Sequence, residues 1–265
     1  MQEVFVRSPR GPQLVSLPSE ENFVLPGIKW GSALDLFTPA YWRLQYIERQ
    51  WNAELIKTRL GTNILEEAAA CMLGGYGIPA ELGLAAFEAL RAKRLLTGKA
   101  SQIQIYNVLS KPMFVGGKTR SYRFKKQKSV LLASALKQLR CMDLPENDRR
   151  ARNELCNLPG VGPKTASWII RNTRDSDKIA ILDVHILRFG NWIDLFPRVN
   201  FSTSRYEEFE DHFLDFSDAL NVPASQLDAL IWDQVRAVSI QDLAVRDYSN
   251  SPHSTIRGSS YKTAA

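Results

Sequence analysis

The sequence predicts an all-α, mainly helical protein, long enough for one large domain or two small ones sharing a cleft, and three features lead there. Helix-start signals recur along most of the 265 residues, strand-like stretches are few and short, and the turn LPGVG joins two helical segments into a helix-hairpin-helix. With 45% hydrophobic residues the chain can bury a core of that size.

The first 35 residues contain prolines and read as irregular. Thr38 and Pro39 then form a cap and first-position pair ahead of the helix YWRLQYIERQW. Asn63 with Glu66 makes a capping box for a second helix, which Gly74 and Gly75 stop. Pro79 opens a third helix running to Thr97 and Gly98, and Ser101 with Gln104 opens a fourth. Pro112 and the pair Gly116-Gly117 interrupt the pattern as a loop or short hairpin, the best place for a hinge, before a long helix from about Lys125 to Met142. Residues 149 to 156 form a short helix, LPGVG the turn, and PKTASWIIRN a helix with Pro163 in its first turn. KIAIL is extended in character, and Asp183 stands as N-cap of the helix VHILRFGNW. Ser204 with Glu207 caps the next helix, whose Tyr206, Phe209 and Phe213 share a face. Ser225 with Asp228 caps the last, carrying Leu227, Ile231 and Val235 at i, i+4 and i+8. The expected organisation is a helical region over 1–115 that contributes to the cleft, a helix-hairpin-helix domain over 116–240, and a partly ordered tail over 241–265.

Composition narrows the function classes. No window approaches 18 uninterrupted apolar residues and the first residues hold no apolar signal segment, so the expectation is a cytoplasmic protein without membrane contact. Cys71, Cys141 and Cys156 are too few and too scattered for a zinc site or an iron–sulfur cluster. Lys and Arg number 34 against 28 Asp and Glu, a net charge of +6. Between Lys111 and Lys128 lie seven cations (Lys111, Lys118, Arg120, Arg123, Lys125, Lys126, Lys128) and no acid, so the surplus is local. Tyr122 and Phe124 alternate with these charges, a mixture suited to phosphate contact and base stacking, while the plainer alternative is a solvated helix face. Arg149, Arg150 and Arg152 form a second basic stretch before the hairpin.

In the hairpin, Gly160 and Gly162 around Val161 let the backbone turn sharply and approach a neighbour without a Cβ in the way. A helix N-terminus follows, with its orphan N–H groups, so the turn can seat one DNA phosphate without reading sequence; the alternative is a tight connection with no ligand. Lys164 stands in that first turn, where a cation is electrostatically misplaced and an amine is a candidate nucleophile; the alternative is a lysine paired with phosphate. Asp183 is a cap in its own right, and a carboxylate held there can also stabilise positive charge developing on a deoxyribose.

Taken together, LPGVGPKTA followed by ILDVHILR resembles the helix-hairpin-helix, Gly/Pro-rich loop and aspartate signature of the DNA glycosylase superfamily, over about Leu155 to Trp192. The lack of a cysteine-rich tail places the resemblance nearest the cluster-free 8-oxoguanine branch. What it implies is a two-domain helical fold with a DNA-binding cleft, a flipped-out base, and cleavage of the N-glycosidic bond in double-stranded DNA. On the matching positions, Lys164 is the attacking amine that can form a Schiff base, Asp183 its carboxylate partner, and His185 a phosphate contact or else a core histidine. Four residues past the lysine stands Trp168, which either stacks on the flipped base or fills core; with Tyr76 of CMLGGYGIPAE it is the candidate base pocket. The DNA contacts expected are Gly160, Val161, Gly162 and His185, with Lys118, Arg120, Arg123 and Lys125. Asn107, Tyr122 and Phe124 are candidates to wedge into the vacated stack.

The implied protein is a monomer acting at the bacterial nucleoid, with no metal and no cofactor beyond a monovalent cation at the hairpin. It excises a damaged or modified, 8-oxoguanine-like base, with AP-lyase activity through Lys164. Two other readings stand beside it: excision of hypermodified bases from phage DNA, and a non-catalytic helix-hairpin-helix module that only grips DNA.

Overall fold

A computed structural model describes residues 1–75 and 77–238. It is mainly helical, and it corrects the reading of the N-terminus. Strands β1 (Gln2–Ser8) and β2 (Gly11–Leu17) pair antiparallel, followed by a small ribbon of β3 (Phe23–Leu25) and β4 (Ile28–Lys29). Val6, Val15 and Leu17 point inward, while Phe5 and Leu14 sit on the outer face. Apolar residues on both faces blur the polar/apolar alternation that marks a half-buried strand.

Among the described residues ten α-helices follow: α1 (Pro39–Trp51), α2 (Ile64–Leu73), α3 (Ala80–Ala92), α4 (Gln102–Leu109), α5 (Lys125–Leu139), α6 (Asp148–Leu155), α7 (Pro163–Arg174), α8 (Val184–Trp192), α9 (Tyr206–Leu220) and α10 (Ala224–Val235). The interruption after α4 is a hairpin of β5 (Met113–Val115) and β6 (Lys118–Arg120). No helix among the described residues is long and apolar enough to cross a membrane.

Two helix starts differ from expectation because their acids are engaged elsewhere. Ser204 lies in a 3-10 turn, its hydroxyl beside that of Ser202, and Glu207 turns to Arg152 at 2.8 Å. Ser225 does not cap α10, which begins at Ala224 after Pro223; its N–H donates to Asp177, and Asp228 is buried against Arg171. At the second helix Asn63 caps as expected, but Glu66 accepts from Thr62, one residue before the cap. KIAIL forms no strand: no sheet contains it.

The helices pack into two main cores. One runs from Ala68 to Ile179 and is built on α2 to α7. The other joins Ile28, Phe37, Trp42 and Tyr46 to residues from Ala180 to Val235. Both lobes are helical, and the chain enters the first after α1 and leaves it after α7. A division at 115/116 passes through the first core, to which Met113 and Tyr122 both belong. A smaller cluster of Val6, Val15, Leu17, Ala40, Leu44 and Ile47 holds β1 and β2 on α1.

Buried ion pairs tie the lobes. Arg152 of α6 reaches Glu210 of α9 at 3.2 Å, with both side chains essentially inaccessible. Arg171 of α7 pairs with Asp228 of α10, also buried. Burial pushes the Glu210 and Asp228 carboxyls up, Asp228 to about 6, while the facing guanidinium pulls each back.

Candidate active site

The two residues proposed for chemistry come from helix starts on opposite lobes. Pro163 opens α7 with Gly162 as N-cap, and Gly162 offers no side-chain cap, so the first N–H groups of α7 have no capping side chain. The two glycines of the hairpin differ. Gly160 has φ +77, and a Cβ there would come 2.9 Å from Leu131, so the fold itself requires glycine. Gly162 has φ −104, and a Cβ on it would meet nothing within 4 Å. No neighbour in the chain explains its bareness; it leaves an exposed backbone that a ligand can approach.

Val161, expected at the DNA, turns the other way. Its side chain is buried in the first core and its N–H donates to Leu158 O at 3.1 Å.

Asp183 is delivered by a buried, irregular segment. Ala180, Ile181 and Leu182 are buried yet belong to no sheet, so their backbone groups need partners from side chains. Glu210 accepts from Ala180 N–H at 2.9 Å. Tyr206 donates to Ala180 O at 2.8 Å and accepts from Leu182 N–H at 3.1 Å. The Ile181 N–H faces Asp228 and favours its ionised form. The aspartate is therefore placed by α9 and α10. Its Oδ1 accepts from His185 N–H at 2.8 Å and Ile186 N–H at 3.0 Å, capping α8 as expected. Its Oδ2 takes no hydrogen bond among the described residues.

Lys164 is half-buried, and His185 links it electrostatically to that cap. His185, in the first turn of α8, feels both: burial lowers the imidazole's pKa, Asp183 opposes this, and the charges of Arg188, Lys164 and Arg236 lower it further. His185 Nδ1 is buried without a hydrogen-bond partner. Lys128 of α5 closes another side. Its amine donates to Met72 O and Gly74 O at the end of α2, and burial, then Lys164, push its pKa down. The nucleophile candidate thus acts electrostatically on Lys128 of α5 and on His185 of α8, whose N-cap is Asp183.

Lys128 and Arg236 were not singled out as site residues from the sequence. Lys128 appeared only as one charge of a run. Arg236 stands at the end of α10, over the Trp232 ring at 4.4 Å and 3.9 Å from Glu81 of α3, an arrangement that no local pattern announces.

Trp168 is half-buried on the first core, and a Cβ built on Gly74 would sit 3.7 Å from its ring, so it packs on the glycine turn after α2. Tyr76 of that turn lies outside the described residues, as does the expected tail over 241–265. Lys118, Arg120 and Arg123 are exposed and Lys125 half-exposed; among the described residues no carboxylate lies within 4 Å of any of them. Two of the three arginines of the second basic stretch behave otherwise, while Arg150 is exposed. Arg149 pairs with Asp211, and Arg152 is buried between Glu207 and Glu210. Among the wedge candidates, Tyr122 is 1% exposed and its hydroxyl donates to Leu73 O at 2.6 Å, so it is committed to the core. Phe124 is half-buried on the same core and Asn107 is exposed.

Comparison with known proteins supplies the context for this arrangement. The Ogg-HhH family model, described as 8-oxoguanine DNA glycosylase, matches residues 49–222. The 8-oxoguanine DNA glycosylase/AP lyase of Methanocaldococcus jannaschii is 36% identical over 118 residues, 43% of this chain and 56% of that protein. The protein of the same name from Saccharolobus solfataricus is 29% identical over 159 residues, 56% of this chain and 72% of the relative. The crystal structure of the Methanocaldococcus jannaschii 8-oxoguanine glycosylase/lyase in complex with 15mer DNA containing 8-oxoguanine superposes with a TM-score of 0.52 at 25% identity, covering 66% of this chain and 81% of that one. The match to the first relative spans little more than half of its length, and residues 1–48 lie outside the family match.

Proposed function

The chain belongs to the 8-oxoguanine DNA glycosylase family, and from that premise we propose that it is a DNA N-glycosylase with AP-lyase activity, excising an 8-oxoguanine-like base from duplex DNA. The observation that supports the reading is that the start of α7 carrying Lys164, which has no capping side chain, and the Asp183 cap of α8 both act on one side chain, His185. In this reading the hairpin glycines and the open start of α7 seat one phosphate, and the cations of the 111–128 window hold the backbone.

The damaged nucleotide rotates out of the stack into the space between the lobes. As the glycosidic bond breaks, its electron pair leaves with the base, which takes up a proton. Positive charge grows on the deoxyribose, and Asp183 Oδ2, left without a hydrogen bond, stabilises it. Lys164 Nζ bonds to C1′ and loses a proton; the ring opens to an imine. Loss of a C2′ proton then expels the 3′ phosphate by β-elimination, and water releases the lysine.

The test is a panel of duplexes carrying 8-oxoguanine, other oxidised bases and phage-type modified cytosines, scored for abasic sites and strand scission. Release of 8-oxoguanine with scission is expected. Excision confined to the modified cytosines contradicts the substrate, and tight duplex binding without any excision contradicts the enzyme.

A further inference from the structure

Phe114 is the most exposed aromatic side chain of the described residues, at 76%, and it stands where exposure is hardest to explain by the fold. In the β5–β6 hairpin Met113 pairs with Arg120, Phe114 with Thr119 and Val115 with Lys118. Successive residues of a strand point to opposite faces, so burying Met113 turns Phe114 outward beside an exposed Thr119. The turn is Gly116-Gly117 with φ +58 and +75, the two positive values that close a tight two-residue hairpin. The ring is therefore held out on a short, stiff projection.

A single exposed apolar residue needs no explanation in itself. Its neighbours do. Lys111, Lys118, Arg120 and Arg123 surround it in the chain, and among the described residues none has a carboxylate within 4 Å. The projection is also anchored at the candidate site. Two residues after β6, Tyr122 bonds to Leu73 O at the end of α2, where Lys128, whose amine feels the charge of Lys164, bonds to Met72 O. A ring among unpaired cations suits stacked bases between two rows of phosphates.

We infer that Phe114 enters the base stack of duplex DNA and occupies the gap left when a nucleotide rotates out, with Lys118 and Arg120 on the flanking phosphates. The inference rests on the glycosylase reading for its occasion, not for its geometry. Rotating a base out costs the stacking it leaves behind, and an inserted apolar ring recovers part of that cost.

The test uses the full chain and its Phe114→Ala and Phe114→Trp variants, with melting temperatures as a check on folding. On a fully paired 8-oxoguanine duplex, Phe114→Ala should slow single-turnover excision about 10- to 100-fold, the range of one lost base–aromatic stack, and Phe114→Trp should retain it. When the lesion sits in a bubble of mismatches, where rotation is nearly free, Phe114→Ala should excise at close to the wild-type rate. As an arm independent of chemistry, 2-aminopurine beside a tetrahydrofuran abasic analogue should change fluorescence on binding wild type and not Phe114→Ala. Equal losses on paired and bubble substrates, or identical 2-aminopurine signals, overturn the insertion. If wild type excises nothing from any duplex, the glycosylase reading fails while the fluorescence arm still decides Phe114.

Discussion

Two stretches of basic residues look alike in the sequence and do opposite work in the structure. Arg149 and Arg152, just before the hairpin, are taken up by Asp211, Glu207 and Glu210 of α9, and Arg152 is fully buried. The cations from Lys111 to Lys126 lie on exposed or half-exposed surface, with no carboxylate within 4 Å among the described residues. A run of like charge does not say whether acids from another element neutralise it. Where partners are buried, the charges join lobes; where they are missing, the charges face outward toward a polyanion.

Replacing Arg152 with Met leaves buried Glu210 with only the more distant Arg149 guanidinium at 3.8 Å, a loss of about 3–5 kcal/mol, read as a fall in Tm of about 10 °C. A melting curve that does not move would show that the lobes are not held this way. The hairpin glycines offer the same contrast within three residues. Gly160→Ala forces a side chain into a left-handed backbone and against Leu131, costing about 1–3 kcal/mol. Gly162→Ala meets open space, so it should leave Tm unchanged and weaken duplex binding; a destabilised Gly162→Ala protein with normal binding would reverse the assignment.

Lys118→Ala and Arg120→Ala should each lower duplex affinity and reduce the salt dependence by about one counterion, with stability unchanged to within about 0.5 kcal/mol. The smallest effect is at His185. Burial, with Arg188, Lys164 and Arg236, lowers its folded pKa below 6.5 against the pull of Asp183. Its neutral form therefore contributes stability above pH 6.5, lost as pH falls through the folded value. An NMR titration of the ring should give a midpoint below 6.5 in the free protein, moving up on duplex binding as a phosphate favours the cation. A free-protein midpoint at or above 6.5 would contradict this placement.

Local chemistry was legible in the sequence and long-range pairing was not. The turn, Lys164 and the Asp183 cap lie within about thirty residues and depend on glycine freedom, proline and capping, so the motif carries its own geometry. Helix ends were harder. The third helix stops at Ala92, short of Gly98, because Arg94 takes a left-handed conformation and Leu95 N–H bonds back to Leu90 O. Asp175, Asp194 and Asn221 end α7, α8 and α9 the same way, so a search for glycine misses these stops. Glu207 and Asp228 were read as capping acids because their spacing allows it, and were claimed instead by arginines more than fifty residues away. Lys128 was hidden for the same reason: its partners are carbonyls at the end of α2.

The proposed chemistry turns on the amine of Lys164 bonding to deoxyribose. Sodium borohydride reduces such an imine to a permanent adduct, so protein mixed with an 8-oxoguanine duplex under borohydride should run as a covalent protein–DNA band on a denaturing gel. The band should vanish in Lys164→Ala while that variant still binds duplex. An adduct of undiminished yield in Lys164→Ala would place the nucleophile on another residue.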